Sequence, residues 1–407
     1  MTFLPGLTQR RAALAFVLVT VCLDMLALGM IAPVLPGLVA AFLGGDTARA
    51  AEVFGLFGTV WQAMQFFFSS VLGTLSDRFG RRPIILASNL GLGVDYLIMA
   101  VAPNLGWLFA GRVLSGITSA SVPTAVAYIA DVTLPEKRAA AFGMISAAFG
   151  VGFIIGPAFG GLLGTINPRL PFWVAGALSL ANALYGLFVL PESLAPENRS
   201  SFSWRRANPM GGFELLASHR SLAGLSAVVF LGALAHQVLQ NVYVLYAQYR
   251  YGWTDRTVGL SLALVGICSG IVGGLLVKPA IKHLGDRKSM LGGILFGAVG
   301  FWLFGHAARG IWFWIGIPAL SLWGLAGPAA QGLMTGHVLA SEQGQLQGAI
   351  NSLNGLAGLL GPGLFTVIFA QAIGRFSAWH LAGAPFYVSA FLLFCSFLAA
   401  RAVTARS

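Results

Sequence analysis

Charged side chains are scarce in this sequence. Asp, Glu, Lys and Arg together make up 9% of its 407 residues, whereas about 25% of an ordinary soluble domain is charged. Hydrophobic residues make up 57%, and they fall in runs close to the roughly 20 residues that one helical crossing of a bilayer requires. A soluble enzyme is therefore excluded, and the composition predicts an all-α membrane protein.

Motifs for metal, redox or ATP chemistry are also missing. Cys22, Cys268 and Cys395 lie inside apolar runs and lack the spacing of a metal or disulfide site, so we interpret them as packing residues. No glycine-rich loop ends in Gly-Lys-Ser or Gly-Lys-Thr, and no polar segment is long enough to form an ATP-hydrolysing domain. We expect no cofactor and no metal site, and any transport must draw its energy from an ion gradient.

The apolar runs predict twelve transmembrane helices. These spans, numbered 1 to 12, are 12–38, 53–74, 83–102, 106–129, 139–164, 171–190, 221–246, 257–278, 289–306, 311–334, 344–371 and 379–401. The first is too long for a signal-peptide core and has no small-residue cleavage site behind it, so we expect it to be retained. The longest polar stretch, 191–220, predicts a linker between two six-helix bundles, 1–190 and 221–407.

Lys and Arg are distributed unequally between alternate loops. One set of loops holds six of the 24, and the other set, with both termini, holds the rest except Arg112. The six are Arg49, Arg169, Arg250, Arg256, Arg309 and Arg375. Because cytoplasmic loops carry the excess of positive charge, both termini and the linker are predicted to be cytoplasmic. The same bias and anionic lipid explain the net charge of +11, so we expect no nucleic-acid partner.

Two sequence features recur at one offset of about half the chain. Gly156 in GVGFIIGPAFGG corresponds to Gly361 in GLAGLLGPGLF, and the loop around Gly80 corresponds to the loop around Gly285. A shared offset at equivalent places in the order of spans indicates a duplication of six helices. Such repeats are typical of transporters whose halves move about a site near the membrane midplane. We therefore predict two pseudo-symmetric six-helix bundles.

Three charged residues lie well inside predicted spans: Asp24, Asp95 and Arg112. Burying one costs at least about 2.5–3.5 kcal/mol on insertion scales, so each is a functional candidate. Asp24, near the middle of span 1, is the candidate proton carrier; the alternative is that Arg112 neutralises it and locks span 1 to span 4. Arg112 keeps its proton and can act only as a counter-ion. Asp95, toward the outer end of span 3, belongs either to the proton path or to a structural pair.

Amides and one histidine inside the spans predict a substrate cavity. On span 7, His236 and Gln240 share one helical face, and Gln237 and Asn241 share another. Polar residues on a span usually face a cavity, although single amides also bond across helices. Weaker candidates of the same kind are Gln62, Gln65, Gln331, Asn351 and Asn354, and Trp61, Phe66, Phe67, Phe68 and Trp323 could form an aromatic wall.

Several motifs resemble those of the major facilitator superfamily. GTLSDRFGRRP, from Gly73 to Pro83, resembles the family's signature loop, which implies a latch that contacts helix ends across the pore. LFAGRVLSGIT around Arg112 resembles the motif of proton-coupled members, and GVGFIIGPAFGG resembles the antiporter motif found in exporters. The fold implied is the twelve-helix fold of two related bundles.

The resemblance is closer still to tetracycline/proton antiporters. It includes LDMLALGMIAPVLPGL, VDYLIMA, YIAD, which ends at Asp131, and EQGQLQG. By this resemblance, Asp24, Asp95 and Arg112 serve proton coupling. The gating residues implied are Asp77, Arg78, Gly80, Arg81, Asp131, Gly152, Gly156 and Pro157. Tetracycline pumps also carry a His in span 8 and an Asp in span 9, which 266–278 and 291–300 lack, and this moves the expected proton site to Asp24.

The resemblance implies a proton-coupled antiporter that exports a drug by alternating access. The drug expected is of tetracycline type or another amphipathic antibiotic, which could travel as a metal chelate. We place the protein in the bilayer of the bacterial inner membrane, working as a monomer. Export of an endogenous metabolite or siderophore is the first alternative, and proton-coupled import is the second; the exporter motif weighs against import.

Overall fold

A computed structural model describes residues 7–119, 121–134, 137–204, 208, 222–339 and 342–404. In these ranges every regular element is a helix, and none is a strand. Helices satisfy their backbone hydrogen bonds internally, as a chain that crosses lipid requires. The predicted all-α class is confirmed.

The first six spans contain eight helices. Their bounds are Leu7–Ile31, Leu35–Phe42, Thr47–Phe79, Arg81–Val101, Leu105–Thr118, Ser121–Val132, Arg138–Ile166 and Leu170–Val189. Span 1 is interrupted at 32–34, where Pro33 has no backbone N–H to donate. Span 5 continues through Pro157.

The last six spans also contain eight α-helices. Their bounds are Leu222–Asn241, Tyr243–Tyr251, Asp255–Ile271, Val277–His306, Gly310–Ser321, Ala326–Thr335, Gln343–Ile373 and Ala384–Thr404. A π-helical turn, Val272–Leu276, continues span 8, and a 3-10 turn, Leu322–Leu325, lies within span 10. Further 3-10 turns are Pro196–Asn198, in the predicted linker, and Ser377–Trp379.

The described helices supply the twelve predicted spans. Ten helical segments are long and apolar enough to cross a membrane. One of them, Asp255–His306, has 52 residues and would be about 78 Å long at 1.5 Å per residue, more than twice the roughly 30 Å hydrocarbon core. It breaks at Gly285, whose φ of 77° and ψ of 164° are not helical, so it forms spans 8 and 9. Thr47–Phe79, which is not among the ten, is span 2.

The chain divides into two compact units. The first comprises Met1–Leu38, Val60–Asn208 and Thr254–Ala263, and the second comprises Val39–Thr59, Pro209–Trp253 and Leu264–Ser407. Of the predicted linker 191–220, residues 205–207 and 209–220 lie outside the described residues. The predicted bundle boundaries at 190 and 221 stay a prediction.

Each unit has its own core. In the first unit, spans 1, 3, 4 and 5 meet in a cluster that includes Phe16, Val21, Ile85, Tyr128 and Ile145. In the second unit the core is aromatic. The rings of Tyr243, Tyr246, Phe304, Phe313 and Phe386 contact one another, mostly edge to face. Rigid aromatic packing of this kind gives span 7 a fixed position against spans 9, 10 and 12.

Candidate functional site

The centre of the first unit contains a buried ion pair between spans 3 and 4. Arg112 donates from Nη2 to Oδ2 of Asp95 at 3.2 Å, and the two residues are 6% and 0% exposed. Gly111 makes room for the pair, because a Cβ there would lie 2.6 Å from Oδ1 of Asp95. The observed hydrogen-bond partner of Arg112 is thus Asp95, and the alternative in which Arg112 neutralises Asp24 stays a prediction.

Polar contacts extend from this pair to span 2. The side chain of Ser115, one turn from Arg112, lies within reach of the Asp95 carboxylate. Trp61 on span 2 donates from Nε1 to Oγ of Ser115 at 3.2 Å. The pair is therefore linked through Ser115 to span 2.

Asp24 is buried at 4% exposure on a helix that is packed tightly against span 5. Gly152 lies against Met25, next to Asp24, and a Cβ on Gly156 would lie 2.6 Å from the carbonyl oxygen of Leu26. Pro157 touches Gly29 in the same interface. The glycine-rich face expected on span 5 is thus pressed against the helix that carries the candidate proton carrier.

A second group of buried polar residues lies on spans 1, 3 and 6 and comprises Thr20, Asn89 and Asn182. Thr20, one turn before Asp24, donates to Oδ1 of Asn182 at 3.2 Å. Asn89 on span 3 is fully buried, and neither side-chain atom has a hydrogen-bond partner among the described residues. These residues were not among the sequence-based candidates, although amides inside spans identified candidates on other helices.

The loop between spans 2 and 3 is organised around Arg81. Its guanidinium forms an ion pair with Asp77, donates from Nη1 to Ser76 at 2.6 Å and donates from Nε to Asp131 at 3.2 Å. Gly80 has a φ of 108°, which a residue with a Cβ rarely adopts. The structure thus brings Asp77, Gly80, Arg81 and Asp131 together within the first unit, and the latch across the pore stays a prediction. Arg78 lies apart, with its guanidinium over the Phe79 ring at 5.1 Å.

Glu192, at the start of the predicted linker, completes this cluster and was not among the predicted gating residues. Its carboxylate accepts hydrogen bonds from the backbone N–H groups of Arg81 at 2.8 Å and Arg82 at 3.2 Å. These are the first residues of span 3, so the carboxylate caps a helix N-terminus, where negative charge is stabilised. Ser193 follows it and donates to Asp131 at 3.1 Å. The start of the linker is therefore fixed to the loop between spans 2 and 3.

Two of the residues predicted to line the substrate cavity pack between helices, and their cavity role stays a prediction. Gln237 and Asn241 are buried, and Nδ2 of Asn241 donates to the backbone carbonyl of Gln237 at 2.8 Å. Gln237 is packed against Gly361, and the amide oxygen of Asn241 lies against Gly58. They hold span 7 to spans 11 and 2, because glycine lets helices approach closely.

The other face of span 7 is open. His236 and Gln240 are exposed, and the His236 ring lies 5.7 Å from the Trp323 ring of span 10. On spans 10 and 11, Gln331 donates to Gln347 at 3.0 Å, and Gln347 donates to Asn351 at 3.4 Å. Gln347 is a further residue that the sequence analysis missed.

Three other cavity candidates are accessible too. Asn354 is exposed one turn along span 11 from Asn351, and Gln62 and Gln65 on span 2 are half-buried. Polar groups are costly on a lipid-facing surface, so each of these residues remains a candidate for contact with water or substrate.

Comparisons with known proteins indicate one family of transporters. A profile of the Major Facilitator Superfamily matches residues 17–362. The class C tetracycline resistance protein of Escherichia coli is 39% identical over 381 residues, covering 92% of this chain and 94% of that protein. The class G tetracycline resistance protein of Vibrio anguillarum is 36% identical over 382 residues, covering 93% and 96%.

Solved structures share the fold at low sequence identity. The human organic anion transporter MFSD10 (TETRAN) has a TM-score of 0.71 at 22% identity, covering 97% of this chain and all of that one. The nucleoside transporter NupG has a TM-score of 0.78 at 13% identity, covering 96% and 99%. At these identities the likeness speaks for the fold alone.

Proposed function

Because this chain belongs to the major facilitator superfamily, we propose that it is a proton-driven antiporter that exports an amphipathic drug of the tetracycline type. The observation that carries the proposal is the buried Asp95–Arg112 pair, which lies with the buried carboxylate of Asp24 inside the membrane-spanning helices of one unit. The similarity to tetracycline resistance proteins over more than nine-tenths of the chain supports the same substrate class.

Asp24 is the proposed proton carrier. Asp95 is held by Arg112, and breaking a buried ion pair is expensive, at about 3–5 kcal/mol when one partner is removed. Arg112 cannot give up its proton. Asp24 can take up or release a proton without breaking the Asp95–Arg112 ion pair. In this proposal the pair supplies a constant electrostatic field at the Asp24 carboxylate.

The proposed cycle couples the two ligands through this carboxylate. Asp24 is deprotonated when the protein faces the cytoplasm, and the drug then enters. After reorientation the drug leaves, and Asp24 takes up a proton that drives the return. A ligand shifts such an equilibrium only through its differential affinity for the two states, so drug and proton should compete.

The accessible polar faces of spans 7, 10 and 11 are the proposed substrate contacts. His236 beside Trp323, together with Gln240, offers aromatic and amide groups to a flat polar ligand. Span 8 differs from the tetracycline pumps, since the stretch that lacks their His includes the π-helical turn Val272–Leu276. We therefore propose that the accessible faces of spans 7, 10 and 11 select the drug, and that the motif residues alone do not determine it.

The setting proposed for this activity is the bacterial inner membrane. The chain is a multi-pass membrane protein, and its relatives named above come from bacteria with such a membrane. We propose that both termini are cytoplasmic and that one copy is sufficient for transport, since the proton-coupling and gating clusters are both built within the first unit.

Replacing Asp24 by Asn tests the mechanism. In everted vesicles, Asp24→Asn should abolish drug uptake driven by a pH gradient while drug-for-drug exchange continues, because exchange needs no net proton movement. Asp46→Asn, a change at an exposed loop carboxylate, is the matched control. Proton-driven uptake that persists in Asp24→Asn would show the mechanism to be wrong.

The substrate itself is tested in cells. Expression in an efflux-deficient bacterial host should raise the inhibitory concentration of tetracycline or of another amphipathic antibiotic in a panel, and Asp24→Asn should remove the effect. A panel with no change for any drug, together with proton-coupled flux of a metabolite from reconstituted vesicles, would redirect the proposal to an endogenous substrate.

A further inference from the structure

The seam between spans 9 and 12 contains an apolar groove that drug and proton transport do not use. Its volume is about 390 Å³, and it lies within the second unit. Side chains from both helices line it, including Leu295, Val299 and Trp302 on span 9 and Tyr387, Phe391 and Phe394 on span 12. Both helices are long and apolar enough to cross a membrane, so the groove is at bilayer depth.

A pair of cations lies at one end of this groove. Lys288 is seven residues before Leu295, and Arg401 is seven residues after Phe394, so each lies on the groove-facing side of its helix about 10 Å further along. Both are exposed. Gly292, between Lys288 and Leu295, has open space where a side chain would lie, which continues the groove toward the cations.

The helix ends at this position are fixed to each other. Arg287 donates from Nε to Oγ1 of Thr404 at 3.1 Å, which joins the beginning of span 9 to the end of span 12 and adds a third positive charge. The nearby carboxylate of Asp286 lies instead against Gly332 of span 10. The charge at the end of the groove is therefore positive.

We infer that this seam binds an anionic phospholipid, with an acyl chain in the groove and the headgroup on Lys288 and Arg401. An acyl chain matches the apolar lining, and basic sites at the ends of transmembrane helices attract anionic headgroups. The positions of the two cations and of the groove match those of a lipid headgroup and its acyl chain, because the cations lie at the end of the helices where the lipid headgroups begin. A soluble anion would use the cations but not the groove.

Native mass spectrometry of the purified full-length protein tests this inference without measuring transport. The wild-type chain should retain phosphatidylglycerol in preference to phosphatidylcholine with the same acyl chains. Lys288→Gln with Arg401→Gln should lower retained phosphatidylglycerol by about tenfold or more, given the attraction that each cation near a membrane surface exerts. The matched control is Lys137→Gln with Arg138→Gln, which removes two exposed cations from the first unit.

Filling the groove with larger side chains tests whether an acyl chain occupies it. Ala298→Phe with Ala390→Phe leaves every charge in place and should lower retention of phosphatidylglycerol, whereas Ala181→Phe at an exposed position of span 6 should not. The inference is overturned if the charge variant retains as much phosphatidylglycerol as its control. It is also overturned if phosphatidylcholine is retained equally well, or if filling the groove has no effect.

Discussion

Arg112 and Asp95 form a pair in which each charge depends on the other. Arg112→Gln leaves a buried carboxylate without its cation, so we expect it to destabilise the protein by about 3–5 kcal/mol. Asp95→Asn combined with Arg112→Gln removes both charges and should recover most of that loss. Thermal unfolding in detergent measures both effects, and a double variant that unfolds as early as Arg112→Gln would contradict the pairing.

Transport separates the role of this pair from its contribution to stability. If the pair supplies the field for proton exchange at Asp24, the double variant should fold and still fail in proton-driven uptake. Recovery of uptake together with stability would mean that the pair serves only to join spans 3 and 4.

Sequence reasoning identified these charged residues but not their partners. An ionisable residue inside an apolar run is visible in the sequence because its burial is costly. The partner of Arg112 depends on how spans 3 and 4 are rotated about their axes, which no single span reveals. The packing of Gln237 and Asn241 was not predicted for the same reason, since the glycines that cover them, Gly361 and Gly58, are on other spans.

At the scale of helices, the contact between spans 1 and 5 depends on the absence of a side chain. A Cβ on Gly156 would lie 2.6 Å from the carbonyl oxygen of Leu26 and 3.0 Å from Cα of Gly29. These are backbone atoms, so Gly156→Ala must force the helices apart and should lower transport and thermal stability together. Gly143→Ala on the same helix meets nothing within 4 Å and should be neutral, or stabilising by up to about 1 kcal/mol.

This comparison uses two identical substitutions on one helix. Helix propensity changes equally in both, so only the contact with span 1 differs. Drug uptake in vesicles and apparent melting temperature are the measurements. Equal behaviour of Gly156→Ala and Gly143→Ala would show that the close approach does not matter.

Glu192 links the start of the linker to the loop between spans 2 and 3, for which we predict a gating role. Its carboxylate accepts hydrogen bonds from the N–H groups of Arg81 and Arg82, and bonds to a charged group contribute about 1.5–3 kcal/mol each. Glu192→Gln keeps the shape but loses the charge, so we expect a several-fold lower rate of uptake with unchanged drug affinity. Glu197→Gln, at an exposed position of the same segment, is the control. A fall in affinity with no change in rate would place Glu192 outside the gate.

Helix positions were predictable where the apolar runs end in polar residues, and less so elsewhere. The break of span 1 at 32–34 falls inside an apolar run and was missed, since hydropathy does not register a missing N–H donor at Pro33. The boundary between spans 8 and 9 was predictable because polar residues separate the two apolar runs. The structure adds that the turn there needs the positive φ of Gly285.

For the whole molecule, the fold was predictable because the bilayer restricts the options. A chain that must satisfy its backbone in lipid can form only helices or closed barrels, and runs of about 20 apolar residues indicate helices. The repeat then supplied the two related halves. The substrate was harder to predict from the sequence, because the faces of spans 7, 10 and 11 that are exposed depend on how each helix is rotated about its axis. The hydrogen-bonded side chains of Gln331, Gln347 and Asn351 illustrate this dependence.

The orientation of the molecule rests on charge and can be tested directly. Lys and Arg are concentrated on one set of loops and at the two termini, and this excess stays in the cytoplasm during insertion. A green fluorescent protein fused after Ser407 should therefore fluoresce, and alkaline phosphatase fused there should be inactive. Alkaline phosphatase fused after Arg309, between spans 9 and 10, should be active because that loop is predicted to be periplasmic. The opposite pattern would invert the orientation and, with it, the direction of export.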